Sequence, residues 1–479
     1  MENQLLHLEY RPNHLGMLSF FFALIGGISI SSLPLKVSLP VVSITLLIAL
    51  IPIFIEKTYL LLLIFIGITP FFLLIPVFEE GFSILIIPGF MILSLWYLNI
   101  TFKKEPIIIT PYYKYLILFF CVILISTILG KDIKTSFLAL KSYFMIFLIF
   151  FLIVNLIKTP QHIIQIGWVI IISMTILTFF VLLDQWELID IAFNYPLDYM
   201  ELHRSRVGLY DPNFTSLMLS IALPFAFYFL FIYKDIIQRV ILIIPLSLLM
   251  VGIILTYSIG GLIGLLSIFF LIILFMKGLN RGTKASIFIT FILIFCAGSL
   301  LLPESYKMKI QDKYEETMTE EFAYWGTNRG AAWMSGLQVI ADNSVFGVGP
   351  VNHGFEALKY YPIIQGRDWG RDYGATPHNL YISIMGETGL IGLLSFIILI
   401  FVIIRGLLKS IKRLEYLRER ELLFCGQGLM VSIIAFLIQS IFLDTQRHKY
   451  LWILLGLIVS FIGIVNQIKE KNDEGIDHT

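Results

Sequence analysis

A histidine just before a long apolar run is the first group in this sequence that could do chemistry. The stretch Thr376–Gly392 reads TPHNLYISIMGETGLIG and places His378 directly after a proline. Thr376 can cap a helix and Pro377 suits its first turn, so His378 is predicted to lie at the rim of a membrane-spanning helix. Such a histidine could accept a proton from a substrate hydroxyl, whereas a lone histidine at a membrane interface is more often only a polar surface residue.

Polar residues continue beyond His378 along the same predicted helix. Asn379, Ser383 and Glu387 recur at every fourth position, which puts them on one face. A carboxylate deep in an apolar segment is costly and by default indicates a function. Glu387 would lie about 13 Å from His378 along the helix axis, at a rise of 1.5 Å per residue. We therefore expect Glu387 to support the site, with Asn379 as a helper, and not to take part in proton transfer.

Charged residues are dense just before the histidine. Arg367 and Arg371 alternate with Asp368 and Asp372 in GRDWGRDYGATPHN. A histidine that titrates near neutral pH, placed beside arginines, suits a proton acceptor that works next to a bound anion. The two arginines are therefore candidates for an anion site.

A second pair of arginines lies in the sequence HRSR, at Arg204 and Arg206. These positive charges fall on the predicted outer side and oppose the usual distribution of Lys and Arg, so a bound anion could account for them. Pairing with Asp198 or Glu201 accounts for them equally well. Both explanations remain open at this stage.

Two further groups are candidates on weaker signals. Asp211 and Asn213 begin an apolar run, where capping of the helix is the simpler interpretation. Arg329 begins a helical pattern that includes Trp333, and its guanidinium could present a planar fork of donors to a phosphate. The pair Gly347 and Gly349 gives a flexible turn that could approach a ligand closely.

Several kinds of site are not indicated. His353 and His378 could be imagined as metal ligands, but no HExxH or comparable spacing accompanies them, so no metal and no other cofactor is predicted. A Walker A loop is missing, which argues against ATP as the energy source. The net charge of +1 gives no reason to expect a nucleic acid partner.

The elements that position these residues are predicted to be membrane helices. Hydrophobic residues make up 58% of the 479-residue chain and charged residues only 14%, too apolar a composition for a soluble domain of this length. Apolar runs recur along nearly the whole chain and predict an all-α polytopic membrane protein with about fourteen spans, within a range of 12–14. The predicted spans are 15–33, 37–55, 59–78, 82–99, 113–130, 136–157, 163–183, 211–232, 237–256, 258–276, 285–302, 378–404, 425–443 and 449–468.

Basic residues define the predicted orientation. Loops rich in Lys and Arg alternate along the chain, and the run Arg405–Arg420 falls on the same side as the tail Lys469–Lys471. By the positive-inside rule that side is cytoplasmic, which places both termini inside. The chain then divides into N-terminal helices (1–302), a large external loop (303–377) and C-terminal helices with a tail (378–479). The external loop contains a helical pattern at Arg329–Asp342 that could lie on the membrane surface.

Three motifs in this order resemble the O-antigen ligase/polymerase superfamily of bacterial membrane glycosyltransferases. They are Gly208…Asp211-Pro-Asn213, then Asn328-Arg329…Trp333 with Gly347-Val-Gly349, and finally His378-Asn379…Glu387-x-Gly389…Gly392. The resemblance implies a GT-C-like helical fold. It also implies transfer of a glycan from undecaprenyl pyrophosphate, with His378 activating the acceptor hydroxyl and Arg329 holding the pyrophosphate. The superfamily often has Ser-Arg-Gly where this chain has Ser258-Ile259-Gly260, so Arg204, Arg206, Arg367 or Arg371 would have to replace the missing arginine.

The leading hypothesis is a polymerase of a cell-surface polysaccharide of the O-antigen, capsule or teichuronic-acid type, working at the outer face of the cytoplasmic membrane. It would be metal-independent and inverting, and a chain-length regulator and a flippase would be its protein partners. A composition rich in Ile, Lys and Phe is typical of an AT-rich source, and a Gram-positive source of that kind would lack lipid A, which favours this hypothesis. The alternatives are a ligase that moves a finished glycan to lipid A core, protein or another acceptor, and a transporter of lipid-linked oligosaccharide.

Overall fold

Helices form all the regular structure that a computed structural model describes for this chain. The described residues are 58–74, 86–186, 211–276, 325–360 and 376–477, with a few isolated positions besides, and no strand occurs among them. The all-α prediction is confirmed. The helices are α1 (Thr58–Ile68), α2 (Ile86–Lys103), α3 (Tyr113–Leu129), α4 (Ile133–Leu156), α5 (Pro160–Gln185), α6 (Pro212–Ile232), α7 (Ile236–Leu255), α8 (Ile259–Phe275), α9 (Trp325–Asp342), α10 (Asn352–Ala357), α11 (Leu380–Leu417), α12 (Arg420–Gln439) and α13 (Lys449–Asp477).

Seven of the described helices are long and apolar enough to cross a membrane, namely α4, α5, α6, α7, α11, α12 and α13. Three shorter apolar segments, Thr58–Phe71, Tyr113–Leu129 and Ile259–Phe275, coincide with other predicted spans. The chain is therefore a polytopic helical membrane protein. The predicted spans 15–33, 37–55 and 285–302 lie outside the described residues or nearly so, so the number fourteen stays a prediction.

The chain forms two compact units by its internal contacts. The first comprises Met1–Phe65 and Ile84–Ile107, and in its described part the amide of Asn99 donates a hydrogen bond to the Thr58 hydroxyl at 2.8 Å. The second comprises Ile66–Ser83 and Ile108–Thr479, and it contains the residues of the candidate site.

Within the second unit, α6 and α12 form the interior. In α6, 83% of the apolar span is buried within the protein, against 28% in α7. The small residues of the α8 sequence GGLIG allow close packing here, because a Cβ at Gly264 would overlap the Gln439 side chain of α12. Helix α8 therefore lies in close contact with α12 at Gly264.

Helix α11 is longer than the predicted span 378–404. It continues to Leu417, so most of the basic run Arg405–Arg420, predicted to be a connecting loop, is helical. Arg, Lys, Leu and Glu are good helix formers, and nothing between Gly406 and Leu417 stops the helix. It ends where Arg418 adopts a left-handed conformation, with φ of 59°.

The large loop contains short helices, as the sequence predicts. The pattern at Arg329–Asp342 belongs to α9, but its apolar face is not free to lie on a membrane. Ala331, Val339 and Ile340 are buried, and α9 packs against α10 and α11. Leu337, one of the residues in the predicted pattern, is exposed instead.

Candidate functional site

His378 lies in a tight turn directly before α11. Its backbone has φ of 46°, a left-handed conformation that is uncommon for a residue with a side chain, and its side chain is 54% exposed. The predicted cap Thr376 does not cap the helix. Asn379 does so instead, since its side-chain oxygen accepts hydrogen bonds from the amides of Tyr381 at 2.9 Å and Ile382 at 3.1 Å.

Asp444 holds this turn in place from the connection between α12 and α13. One of its carboxylate oxygens accepts a hydrogen bond from the His378 amide and the other accepts one from the Asn379 amide, both at 3.1 Å. The Ser383 hydroxyl also donates to Asp444. The Asp444 carboxylate lies 3.7 Å from His378 Nδ1, close enough to stabilise a protonated imidazole. The turn is therefore fixed by a carboxylate 66 positions further along the chain.

Helix α9 presents two side chains to the same turn. Trp333 donates a hydrogen bond from its indole nitrogen to the Pro377 carbonyl at 2.8 Å. Arg329, four residues earlier on the same face, has its guanidinium 5.7 Å from the ring centroid of Phe442, two residues before Asp444. The structure thus brings Arg329, Trp333, His378 and Asp444 to one end of the bundle, as the sequence predicts for the first three.

Glu387 is buried below this group and does not touch His378. Its carboxylate accepts a hydrogen bond from the Tyr143 hydroxyl of α4 at 3.0 Å. Arg447 lies near both Glu387 and Asp444. Burial lowers the pKa of Arg447, but the acidic groups around it, Glu387 foremost, outweigh burial and raise that pKa above its ordinary value. The expected supporting role of Glu387 agrees with these contacts.

Helix α11 is broken at Gly389, just after Glu387. Gly389 has φ of 69° and ψ of −173°, a combination open essentially to glycine alone, and a Cβ there would overlap the Val345 carbonyl. The segment 344–349 crosses the break and supplies the missing backbone partners. The amides of Val348 and Gly349 each donate at 2.9 Å, to the carbonyls of Gly386 and Glu387 respectively.

Gly347 and Gly349 approach this break closely. Both have positive φ, at 70° and 94°, and a Cβ at Gly347 would lie 2.5 Å from the Glu387 backbone. The sequence indicates a turn near a ligand, whereas the observed close approach is to another segment of the protein. The two glycines therefore allow the segment 344–349 to pack closely against α11.

Asp211 and Asn213 act at the start of α6. Asp211 accepts a hydrogen bond from the Asn213 amide at 2.7 Å and caps the helix, which is the simpler of the two predicted roles. The Asn213 side chain in turn accepts a hydrogen bond from Ser258 at 2.6 Å. Ser258 caps α8 and lies where the superfamily often has Ser-Arg-Gly. Its hydrogen bond to Asn213 connects this position to the first motif.

His353 is buried between α9 and α11. Its ring fills the space beside Gly336 and Gly386, where any larger residue would collide with it. Burial lowers the pKa of His353 to about 4, although the Asp444 carboxylate opposes this shift. His353 is therefore neutral at ordinary pH and serves to pack the loop against α11.

The remaining predicted residues cannot be placed. Arg204, Arg206, Arg367 and Arg371 lie outside the described residues. Among the residues that the structure does describe, no group of three or more His, Cys, Asp or Glu side chains is arranged to hold a metal ion. Metal independence stays a prediction.

Sequence reasoning missed Asp444 and Arg447. A signal was present, since the short connection LDTQRHK carries two cationic residues, Arg447 and Lys449, at the end predicted to be outside, against the positive-inside rule. The arrangement as a whole gives an exposed imidazole with a carboxylate behind it and cations nearby, which suits proton removal beside an anionic leaving group.

Comparison with known proteins adds an independent finding. Residues 244–397 match the family model described as O-antigen ligase, a stretch that contains the second and third motifs and ends within α11. No curated protein sequence matches the chain. The match covers α9, α10 and the His378 turn, whereas Asp444 and Arg447 lie beyond it. Residues 244–397, about a third of the chain, are thus similar to the O-antigen ligase family.

Proposed function

We propose that this protein is a metal-independent glycosyltransferase that polymerises a cell-surface polysaccharide of the O-antigen, capsule or teichuronic-acid type. The observation that carries the proposal is the His378 turn. An exposed imidazole is backed by Asp444, and the helix that carries Arg329 is hydrogen-bonded to the same turn through Trp333. In the proposal, the donor is a glycan on undecaprenyl pyrophosphate and the acceptor is the sugar of a lipid-linked repeat unit.

The proposed reaction is a single displacement. His378 removes the proton from the acceptor hydroxyl, and the oxygen attacks the anomeric carbon of the donor. The bond from that carbon to the phosphate oxygen breaks, and the electron pair leaves with the lipid pyrophosphate. Attack from the side opposite the leaving group inverts the configuration of the anomeric carbon.

Cations are needed because the leaving group gains negative charge as the bond breaks. Fixed guanidinium groups can stabilise this charge, as Mg²⁺ does in other phosphate chemistry. Arg329 is the proposed donor-site arginine among the described residues, and Arg204, Arg206, Arg367 and Arg371 are proposed to complete the set. Asp444 would stabilise the imidazolium that forms on His378.

The proposed setting is the outer face of the cytoplasmic membrane. In this proposal the chain has about fourteen spans in a GT-C-like fold and keeps both termini in the cytoplasm. The large loop 303–377 then faces outward, together with the His378 turn. A flippase would deliver the lipid-linked unit, and a chain-length regulator would set the size of the product in cell wall biogenesis.

Purified protein supplied with lipid-linked repeat units tests the proposal. We expect a ladder of products that remain attached to the polyprenyl lipid and form in the presence of a chelator. Turnover that requires added Mg²⁺ or Mn²⁺ would contradict the metal-free mechanism, and a lack of any glycosidic product with several repeat units would contradict the enzyme class.

A ligase is the second candidate, because the matched family model is described as O-antigen ligase. The same His378 turn would serve both reactions, since each removes a proton from an acceptor hydroxyl. The fate of the product separates them. Growth on the polyprenyl lipid indicates a polymerase, and transfer of the glycan to lipid A core, protein or another acceptor indicates a ligase.

A further inference from the structure

A cavity lies at the end of the bundle opposite the His378 turn. Its volume is about 610 Å³, and it is formed by the start of α3, the end of α4 and the C-terminal parts of α11 and α13. Arg405, which lines it, follows the start of α11 by 25 residues, or about 37 Å of helix at 1.5 Å per residue. The cavity is thus separate from the candidate active site.

The charges in this cavity are all positive. Lys114, Lys158, Arg405 and Lys409 line it, and none of the residues that line it is Asp or Glu. Lys114, Arg405 and Lys409 are exposed, and the Lys114 ammonium lies 4.9 Å from the ring centroid of Tyr115. Arg405 and Lys409 are four residues apart and therefore project from the same face of α11. Like charges at this spacing repel one another, and a bound anion would relieve that repulsion.

Apolar walls and a glycine keep the cavity open. Val402, Ile157 and Ile464 line it beside the cations. A Cβ at Gly463 would meet no atom within 4 Å, so this exposed glycine of α13 borders empty space. On the facing side, a Cβ at Gly406 would overlap the Tyr112 hydroxyl, so α11 and the start of α3 are in close contact there. The cavity combines a cationic mouth with an apolar interior.

We propose that this cavity binds the head group of an anionic phospholipid. The phosphate would lie against Arg405, Lys409 and Lys114, and part of an acyl chain would lie against the apolar walls. Basic pockets between membrane helices are suited to such head groups, and each nearby cation adds to the attraction. The basic end of the bundle is also the side that the positive-inside rule assigns to the cytoplasm. A soluble phosphate would leave the apolar walls unused, which favours a lipid.

Native mass spectrometry of the purified full chain, titrated with dioleoyl-phosphatidylglycerol or dioleoyl-phosphatidylcholine, tests this proposal. We expect the wild type to bind the anionic lipid at least about tenfold more tightly than the zwitterionic one. Removing two cations, in Arg405→Gln with Lys409→Gln, should weaken binding of the anionic lipid by about tenfold or more. The matched control removes two cations outside the cavity, in Lys234→Gln with Lys412→Gln, and should change binding less than about threefold.

A second variant leaves the charges in place. Gly463→Leu puts a side chain into the open space and should also abolish the preference for the anionic lipid, while the thermal unfolding midpoint stays close to that of the wild type. Equal binding in the two double variants, or unchanged binding in Gly463→Leu, would overturn the proposal. Full displacement of the lipid by millimolar inorganic phosphate would assign the site to a soluble anion instead. None of these measurements depends on glycosyl transfer.

Discussion

The two ends of α11 differ in whether their positive charges have carboxylates nearby. At the N-terminal end, Asp444 accepts hydrogen bonds from both backbone amides of the His378 turn and lies near the imidazole. The positive charge of Arg447 interacts with the carboxylates of both Asp444 and Glu387. At the C-terminal end, Arg405 and Lys409 face a cavity whose lining contains no carboxylate. One end balances its charges internally, and the other leaves a cationic space.

The backbone differs in the same way. Near His378 the chain uses a left-handed histidine, a broken helix at Gly389 and a crossing segment to fix a few groups in place. Near Arg405 the helix runs without interruption. Fixed geometry is what catalysis requires, because misplacement of a reacting group costs rate. Binding of a lipid head group requires charge and space, which an unbroken helix supplies.

The largest effect is expected for His378→Ala. Loss of the proposed base should reduce glycan transfer by about 1000-fold, within the range usual for general base catalysis. His162→Ala at the opposite end should change the rate by less than about twofold. The measurement is the rate of product formation by equal amounts of each purified variant, after a check that both variants accumulate in the membrane to the same level. A product ladder of normal length from His378→Ala would remove this residue from the chemistry.

Gly389→Ala should disrupt the break in α11. An alanine cannot adopt the observed backbone conformation without strain, and its Cβ would overlap the Val345 carbonyl, so we expect a loss of about 3 kcal/mol or more in stability. Gly463→Ala, where the Cβ meets open space, should be neutral or stabilising by about 1 kcal/mol. Thermal unfolding in the same detergent compares the two. Equal losses would show that the break has no special role.

Asp444→Asn keeps the size of the side chain but removes its charge and one of its two acceptor oxygens. The amide can accept from only one of the two backbone amides and carries no charge to stabilise an imidazolium, so transfer should fall by about 100-fold. The fall should appear mainly in kcat, because the substrate contacts remain. Asp235→Asn, which changes a helix cap at the opposite end, is the control. A rate within about threefold of wild type would refute the positioning role of Asp444.

Arg329→Lys should lower transfer by about tenfold, since an ammonium cannot reproduce bidentate binding of a phosphate. Arg413→Lys on the other end of α11 keeps one hydrogen-bond donor toward Asn466 and should leave the rate within about twofold. The test is the rate at several donor concentrations. Full activity of Arg329→Lys would exclude it from the donor site.

The smallest predicted effect is the contribution of His353 to the pH dependence of stability. Burial lowers the pKa of His353 from 6.5 to about 4, so the unfolded chain binds more protons than the folded chain between these values. Stability is therefore present above about pH 6.5 and is lost as the pH falls toward 4, by at most about 1.4 kcal/mol per pH unit from this group. His353→Phe, which cannot titrate, should flatten the unfolding midpoint against pH in that window. An unchanged slope would contradict this account.

Much of the fold could be predicted because each membrane helix is a contiguous run of apolar residues, which can be recognised without knowledge of its neighbours. Eleven predicted spans from 59–78 onward coincide with described helices, most of them to within a few residues at each end. The errors arose where a choice depended on contacts from other segments. Thr376 and Asn379 can both cap a helix, and only the contact of Asp444 with the His378 turn favours Asn379. The basic run after Arg405 could be a loop or a helix by composition alone.

The sequence by itself determined the membrane class and the resemblance to the O-antigen ligase/polymerase superfamily, and it made His378, Arg329 and Glu387 the candidate site residues. Apolar length and motif spacing are properties of contiguous residues, so they can be read without coordinates. Only the tertiary structure decided that Asp444 holds His378, that Gly347 and Gly349 close a break in α11, and that four cations line one cavity. The residues in these contacts are separated by tens to hundreds of positions, and packing alone brings them together.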